Sequence, residues 1–226
     1  GFSVIGRGEA PDFLASLKVG AVFGVGPAFA KKLEADNLRT LADVRKRPES
    51  ELARRYGESG LRLARIARGE DNRPVRPERE RKSVSAETTF EDDVSDKQDL
   101  KDRLWPLCVK VADRMKAEAA AGRVVTLKLK TDRFRTVTRR RTLTQPAQLA
   151  DTLYRACCEL LDREADGVRY RLIGAGYSVL EPSAGDAGDL LDPDALKRAA
   201  AERAMDAARE KFGRAAVVKG RMLKRD

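Results

Sequence analysis

Between Arg123 and Arg141 the chain reads RVVTLKLKTDRFRTVTRRR, and this stretch limits the possible folds most narrowly. Val, Thr, Leu and Phe recur at alternate positions, the two-residue period of a β-strand, and Thr131-Asp132-Arg133-Phe134 reads as a hairpin turn. Alternation sets Val125, Leu127 and Leu129 on one face of the first strand and Thr126, Lys128 and Lys130 on the other. In the second strand Phe134, Thr136, Thr138 and Arg140 share one side, while Arg135, Val137, Arg139, Arg141 and Leu143 share the other. Eight Lys or Arg residues stand here against the single acid Asp132, a net +7 of the +10 carried by the chain. A sheet face with this much like charge repels itself unless an anion lies across it, and a row of cations and hydroxyls matches a nucleic-acid backbone. The plain alternative is a solvated basic face, but solubility alone would scatter such charges.

Composition removes several classes of function. The chain lacks histidine, and its three cysteines, Cys108, Cys157 and Cys158, form no CxxC pair. Zinc-type metal sites, disulfide frameworks and His-based triads are therefore not expected, and each Cys reads as a small core residue. No apolar run reaches about 18 residues and the first residues carry no signal-peptide pattern, so a cytoplasmic protein without a membrane span is expected. The first residue is Gly1 rather than Met, which suggests a piece of something longer.

Taken in order, residues 11–17 read as a short helix with Pro11 in its first turn. Val22-Phe23-Gly24-Val25-Gly26-Pro27 then leads into AFAKKLEADNL, whose apolar residues recur with helical spacing. Glycines let the backbone approach a partner, and the helix opened by Pro27, with Lys31 and Lys32 one turn on, has free N–H groups for a phosphate. This is a helix-hairpin-helix pattern; its plain alternative is a tight corner between two helices. Thr40 reads as the N-cap of LADVRKR, and short helices follow to Gly69. Asp71–Lys82, with two prolines and a basic excess, reads as an extended linker.

SVSAETTF alternates from Ser83, placing Val84, Ala86 and Phe90 opposite Ser83, Ser85, Glu87 and Thr89. Glu91-Asp92-Asp93 comes next and is expected to favour the N-terminal end of a helix over roughly 97–121 rather than to hold a metal. The basic hairpin, a second amphipathic helix from Ala147 to Glu164, and a strand VRYRLIGAGYSVL complete the order β-α-β-β-α-β. The predicted fold class is therefore α+β: a small all-α helix-hairpin-helix domain joined to a four-stranded sheet with two helices on one face. The opposite face is free, basic and rich in hydroxyls. Predicted boundaries are 1–72, a linker at 73–82, 83–181, and a C-terminal segment 182–226 of loop, Ala-rich helix and a basic end that is either an added edge strand or disordered.

Together these features resemble the C-terminal half of Y-family, translesion-type DNA polymerases of the bacterial polymerase IV kind. The resemblance is carried by Val22–Gly26 with the KKL that follows Pro27, TLADV at 40–44, KSVSAETTF at 82–90, LKLKTDRFRTVTRRRTL at 127–143, RLIGAGYSVL at 171–180 and VVKGR at 217–221. It implies that residues 1–72 are a thumb and 83–181 a little finger that lies in the major groove of primer-template DNA and grips both backbones. It implies a template-directed polymerase as parent, whose palm carboxylates hold two Mg²⁺ ions and lie N-terminal to anything present here. By that resemblance the chain holds no cofactor and no catalytic residue, binds DNA without polymerising it, and acts as a monomer.

Charge, pattern and resemblance together nominate Gly24, Val25, Gly26, Lys31, Lys32, Arg81, Lys82, Ser83, Ser85, Lys128, Lys130, Arg133, Arg135, Thr136, Thr138, Arg139 and Arg140 as DNA contacts. The family also docks to a sliding clamp through a Gln-x-x-Leu-x-Leu/Phe type peptide. The nearest match, Gly188-Asp189-Leu190-Leu191-Asp192, offers Leu190 and Leu191 but lacks the Gln and the aromatic, and a plain loop is its alternative. The competing function is a non-catalytic, polymerase-like scaffold of a mutagenesis complex. RNA binding on the sheet is disfavoured, because its free face has cations and Thr where base stacking would need aromatics.

Overall fold

A computed structural model of the protein describes residues 2–6, 8–71, 73–74, 80–185, 194–213 and 215–220. The chain divides into two compact units, Gly1–Glu78 and Arg79–Asp226. Part of the expected linker, the Leu190 and Leu191 pair and residues 221–226 lie outside the described residues.

The first unit is helical. Helix α1 spans Ala10–Ser16, a 3-10 turn Val19–Ala21, α2 Pro27–Ala35, α3 Leu41–Arg45 and α4 Glu49–Ala67. Each contributes too little apolar surface to be stable alone, so the unit closes around one shared core of Val19, Leu33, Leu38, Leu41, Val44, Leu52, Leu63, Ala64 and Ala67. Thr40 caps α3 as its sequence predicts. Its hydroxyl accepts from the Asp43 N–H at 3.3 Å, while the Asp43 carboxylate accepts from the Thr40 N–H at 2.9 Å. That backbone hydrogen bond, with the Thr40 hydroxyl, holds the Asp43 carboxyl below its usual range. The short helices expected after it are two halves of α4, divided at Gly57, whose φ of 61° and ψ of −145° no helical residue adopts. Beyond that break Gly60 lies against the Leu52 carbonyl so closely that a Cβ would come within 2.2 Å of its oxygen.

The second unit is built on four strands, β1 Ser83–Val94, β2 Ala120–Thr131, β3 Thr136–Ala147 and β4 Tyr170–Pro182. Three helices accompany them: α5 Lys97–Ala117, α6 Ala150–Glu164 and α7 Ala195–Phe212. The strand order is β1-β4-β2-β3 with every neighbouring pair antiparallel. Thus β1 and β2 run parallel with β4 between them, and β3 and β4 run parallel with β2 between them. Each helical crossover therefore makes a split βαβ unit, and both crossovers cover the same side. Their shared core takes Val84, Ala86 and Phe90 from β1, Val125, Leu127 and Leu129 from β2, Ile173, Ala175 and Tyr177 from β4, and Trp105, Cys108, Leu153 and Cys157 from the helices. Burial pushes the Cys157 thiol and the Tyr177 phenol up, and the Tyr177 hydroxyl donates to the Leu149 carbonyl at 3.0 Å.

Three local expectations are corrected. Glu91, Asp92 and Asp93 belong to the end of β1 rather than to a helix start; α5 is capped instead by Asp96, which accepts from the Asp99 N–H at 2.6 Å. The helix also stops at Ala117, four residues early, because Ala119 turns the chain with a φ of 47° and β2 opens at Ala120. The basic end forms no edge strand over 215–220. Lys219 instead places its ammonium 3.3 Å from an Asp151 carboxylate oxygen and 4.1 Å from the Trp105 ring centroid.

Candidate nucleic-acid interface

The sheet register places each residue of the uncovered face. Across β1, β4, β2 and β3 the rows are Ser83-Ser178-Val124-Thr142, Ser85-Gly176-Thr126-Arg140, Glu87-Gly174-Lys128-Thr138 and Thr89-Leu172-Lys130-Thr136. Three cations and a field of hydroxyls thus look away from α5 and α6, because their sequence neighbours Val125, Leu127 and Leu129 are fully buried beneath them. On the central strand β4, two of the four rows hold glycine. A Cβ on Gly174 would stand 2.8 Å from that of Glu87, and one on Gly176 would stand 2.6 Å from that of Ser85. The middle of the face consequently carries no side chain of its own, and both glycines are buried beneath the side chains of the flanking strands. Across Gly174, the Lys128 ammonium meets the Glu87 carboxylate at 2.7 Å, so one acid stands among the cations of the face.

The hairpin tip is tied by main-chain bonds. The Phe134 N–H donates to the Thr131 carbonyl at 2.9 Å, the Thr131 N–H to the Arg135 carbonyl at 2.9 Å, and the Asp132 N–H to the Arg169 carbonyl at 3.1 Å. Arg133 and Arg135 are exposed around this tip, and neither they nor Arg140 make an ion pair among the described residues. Arg139 is placed differently. It lies opposite Leu127 on the helix side of β3, where its guanidinium meets Glu164 of α6 at 2.7 Å; Arg141, two residues on, is held by Glu159. Edge strand β3 is therefore fastened to α6 by the arginines that do not belong to the free face. Arg81 is likewise engaged, by Glu118 at the end of α5, whereas Lys82 and Ser83 are exposed at the start of β1.

In the first unit, Gly24 has a φ of 92° and Gly26 caps α2, with Pro27 in the first helical position. The turn closes through the Val25 N–H on the Val22 carbonyl at 2.9 Å. Sequence reasoning missed Arg62, which reaches from α4 to donate to the Phe23 carbonyl at 2.8 Å and packs where a Cβ on Gly24 would fall, 2.7 Å from its guanidinium. Nothing near Gly24 in sequence signals a partner 39 residues away on another helix. Lys31 and Lys32 are exposed on α2, and the Lys32 ammonium lies 5.4 Å from the Tyr56 ring centroid. Among the described residues no group of three or more acids, Cys or His gathers to a metal-sized cluster.

Fold and face together define an α+β protein with a split βαβ sheet whose open side is cationic and hydroxyl-rich. Residues 81–190 match the impB/mucB/samB family C-terminal domain. Over 221 residues the chain is 50% identical to a DNA polymerase IV of Brucella melitensis, covering 97% of this chain and 50% of that protein. A DNA polymerase IV of Caulobacter vibrioides is 48% identical over 224 residues, covering 99% and 56%. Among solved structures, a Y-family DNA polymerase chimera of Dbh and Dpo4 shares the fold at 19% identity with a TM-score of 0.57, over 76% of this chain and 50% of that one. The chain carries the C-terminal domain of the impB/mucB/samB family, aligns with the C-terminal half of the DNA polymerase IV relatives and spans about half the length of the curated relatives it matches.

Proposed function

We propose that this chain is the DNA-holding half of a translesion DNA polymerase, gripping a primer-template duplex through its phosphates. The observation that carries the reading is the free sheet face, where Lys128, Lys130 and Arg140 stand among Ser85, Thr126, Thr136 and Thr138. Such donors fit phosphate oxygens and carry no base code, so binding is sequence-blind. Lys82, Ser83, Arg133 and Arg135 extend the same surface. In the first unit, the Gly24 and Gly26 N–H groups with Lys31 and Lys32 take a second stretch of backbone, as a thumb would, while the expected Val25 N–H contact is ruled out because that group closes the turn on Val22. Arg139 and Arg81 act indirectly, by fastening β3 to α6 and the start of β1 to α5. The chain positions DNA and does not transfer nucleotides. In this reading magnesium belongs to the palm carboxylates of the proposed parent, and no step here runs through it.

The test is binding of a fluorescent primer-template duplex across a salt series. With about five phosphates neutralised by Lys31, Lys32, Lys128, Lys130 and Arg140, affinity falls roughly 500-fold between 50 and 200 mM salt, alike for unrelated duplex sequences. Lys128→Glu with Lys130→Glu abolishes binding while circular dichroism stays unchanged, since both side chains are on the surface. Unchanged affinity in that double variant overturns the sheet-face reading. Weak binding of the unaltered chain to every duplex favours the scaffold instead.

A further inference from the structure

Two backbone irregularities meet at the tip of the β2-β3 hairpin. Phe134 has a φ of 62°, a region that a bulky L-residue avoids and that Gly or Asn would occupy with little strain. Its ring is nevertheless 61% exposed and contributes nothing to the core. Opposite it, the register of β4 slips by one residue between its pairings with Lys130 and Thr131, which makes Arg171 the extra residue of a β-bulge. The bulge re-aims that side chain, and the Arg171 guanidinium carbon comes 4.0 Å from the Phe134 ring centroid; the Lys130 ammonium is 5.0 Å from it. Arg133 and Arg135 flank the same ring in sequence. Strain kept at an exposed position, where a glycine would relieve it, points to use of the side chain rather than to folding.

We propose that Phe134 is a stacking platform for one unpaired nucleobase of single-stranded DNA, with Lys130 and Arg171 holding the adjoining phosphate. An exposed aromatic ringed by cations is the combination that single-strand-binding surfaces use. Duplex DNA does not fit it, because successive stacked base pairs cover one another's faces and offer only edges in the grooves. The proposal rests on the DNA-holding reading and extends it from the backbone of the duplex to an unpaired segment beside it.

The experiment compares the whole chain with Phe134→Gly and Phe134→Leu, each against labelled oligothymidylate, an abasic strand of equal length and a blunt duplex. Glycine suits the positive φ, so that variant folds; leucine keeps apolar bulk without the π-face. Both variants lose about tenfold in affinity for oligothymidylate and stay within about twofold for the abasic strand and the duplex. Unchanged oligothymidylate binding overturns the proposal, as does an equal loss for all three ligands, which would mean that the ring merely positions the cations. Failure of the unaltered chain to bind duplex sinks the DNA-holding reading separately, and a preference for oligothymidylate over the abasic strand that depends on Phe134 survives that failure.

Discussion

Glu87 is the residue whose position most affects how the sheet face works. As an acid between cations it attracts Lys128 at 2.7 Å, holding that ammonium across Gly174 while repelling any phosphate that arrives. Glu87→Gln therefore raises duplex affinity about fivefold at low salt, with the gain shrinking as salt screens it; an affinity unchanged in fluorescence titration would place the DNA path elsewhere. In the first unit, Tyr56 donates its hydroxyl to the Asp36 carboxylate, which also takes the Arg55 guanidinium at 2.6 Å. Burial, then the Asp36 hydrogen bond and charge, push the phenol up to about 12. A phenol raised on folding contributes stability that is complete below about pH 10, where the unfolded tyrosine ionises, and lost as the pH climbs towards about 12. Urea unfolding of the first unit accordingly weakens more steeply over that window in the unaltered chain than in Tyr56→Phe.

At the scale of elements, α6 depends on a helix that follows it by more than thirty residues. Its first N–H groups have no side-chain cap, and Glu202 of α7 supplies one: its carboxylate accepts from the Ala150 N–H at 2.8 Å and the Asp151 N–H at 3.1 Å. Glu202 is only 4% exposed, and Lys116 of α5 neutralises it at 2.6 Å while also meeting Asp206. Burial alone would lower the Lys116 ammonium, yet the hydrogen bonds to Asp206 and Glu202 outweigh it and leave the group raised. Glu202→Ala leaves the half-buried Lys116 with Asp206 alone and uncaps α6, so it costs about 2 kcal/mol, read as a shifted urea midpoint of Trp105 fluorescence. Thr40 as an N-cap was legible because its hydroxyl and the N–H it accepts from lie within one turn, although the return bond from Asp43 was not read. The cap on α6 was not, since no local pattern joins Ala150 to a glutamate 52 residues later.

For the whole molecule, two cores that share no residue imply two separable responses. Trp105 is the chain's single tryptophan and lies in the core of the second unit, so its fluorescence reports that unit. Leu127→Ala removes a fully buried side chain there and lowers the fluorescence-detected stability by about 2–5 kcal/mol. Leu63→Ala does the same to the first unit and moves only the helical circular-dichroism signal. If Leu63→Ala shifted the Trp105 fluorescence transition as well, the two units would unfold as one.

Alternation and composition by themselves determined the second unit's element order, the burial of Val125, Leu127 and Leu129, the basic character of the opposite face, and the glycine turn before α2. These are local properties: a two-residue period settles which side chains share a face, and a glycine pair marks where a chain can turn tightly. Tertiary structure alone decided which cations remain available. Alternation separates Arg139 from Arg140, but only the packed α6 brings Glu164 to the former. The same holds for Arg62 behind the Gly24 turn, Glu87 on Lys128, Arg171 at Phe134 and Glu202 under α6. Each pairing joins residues 25 or more apart, and such contacts exist only once separate elements have packed.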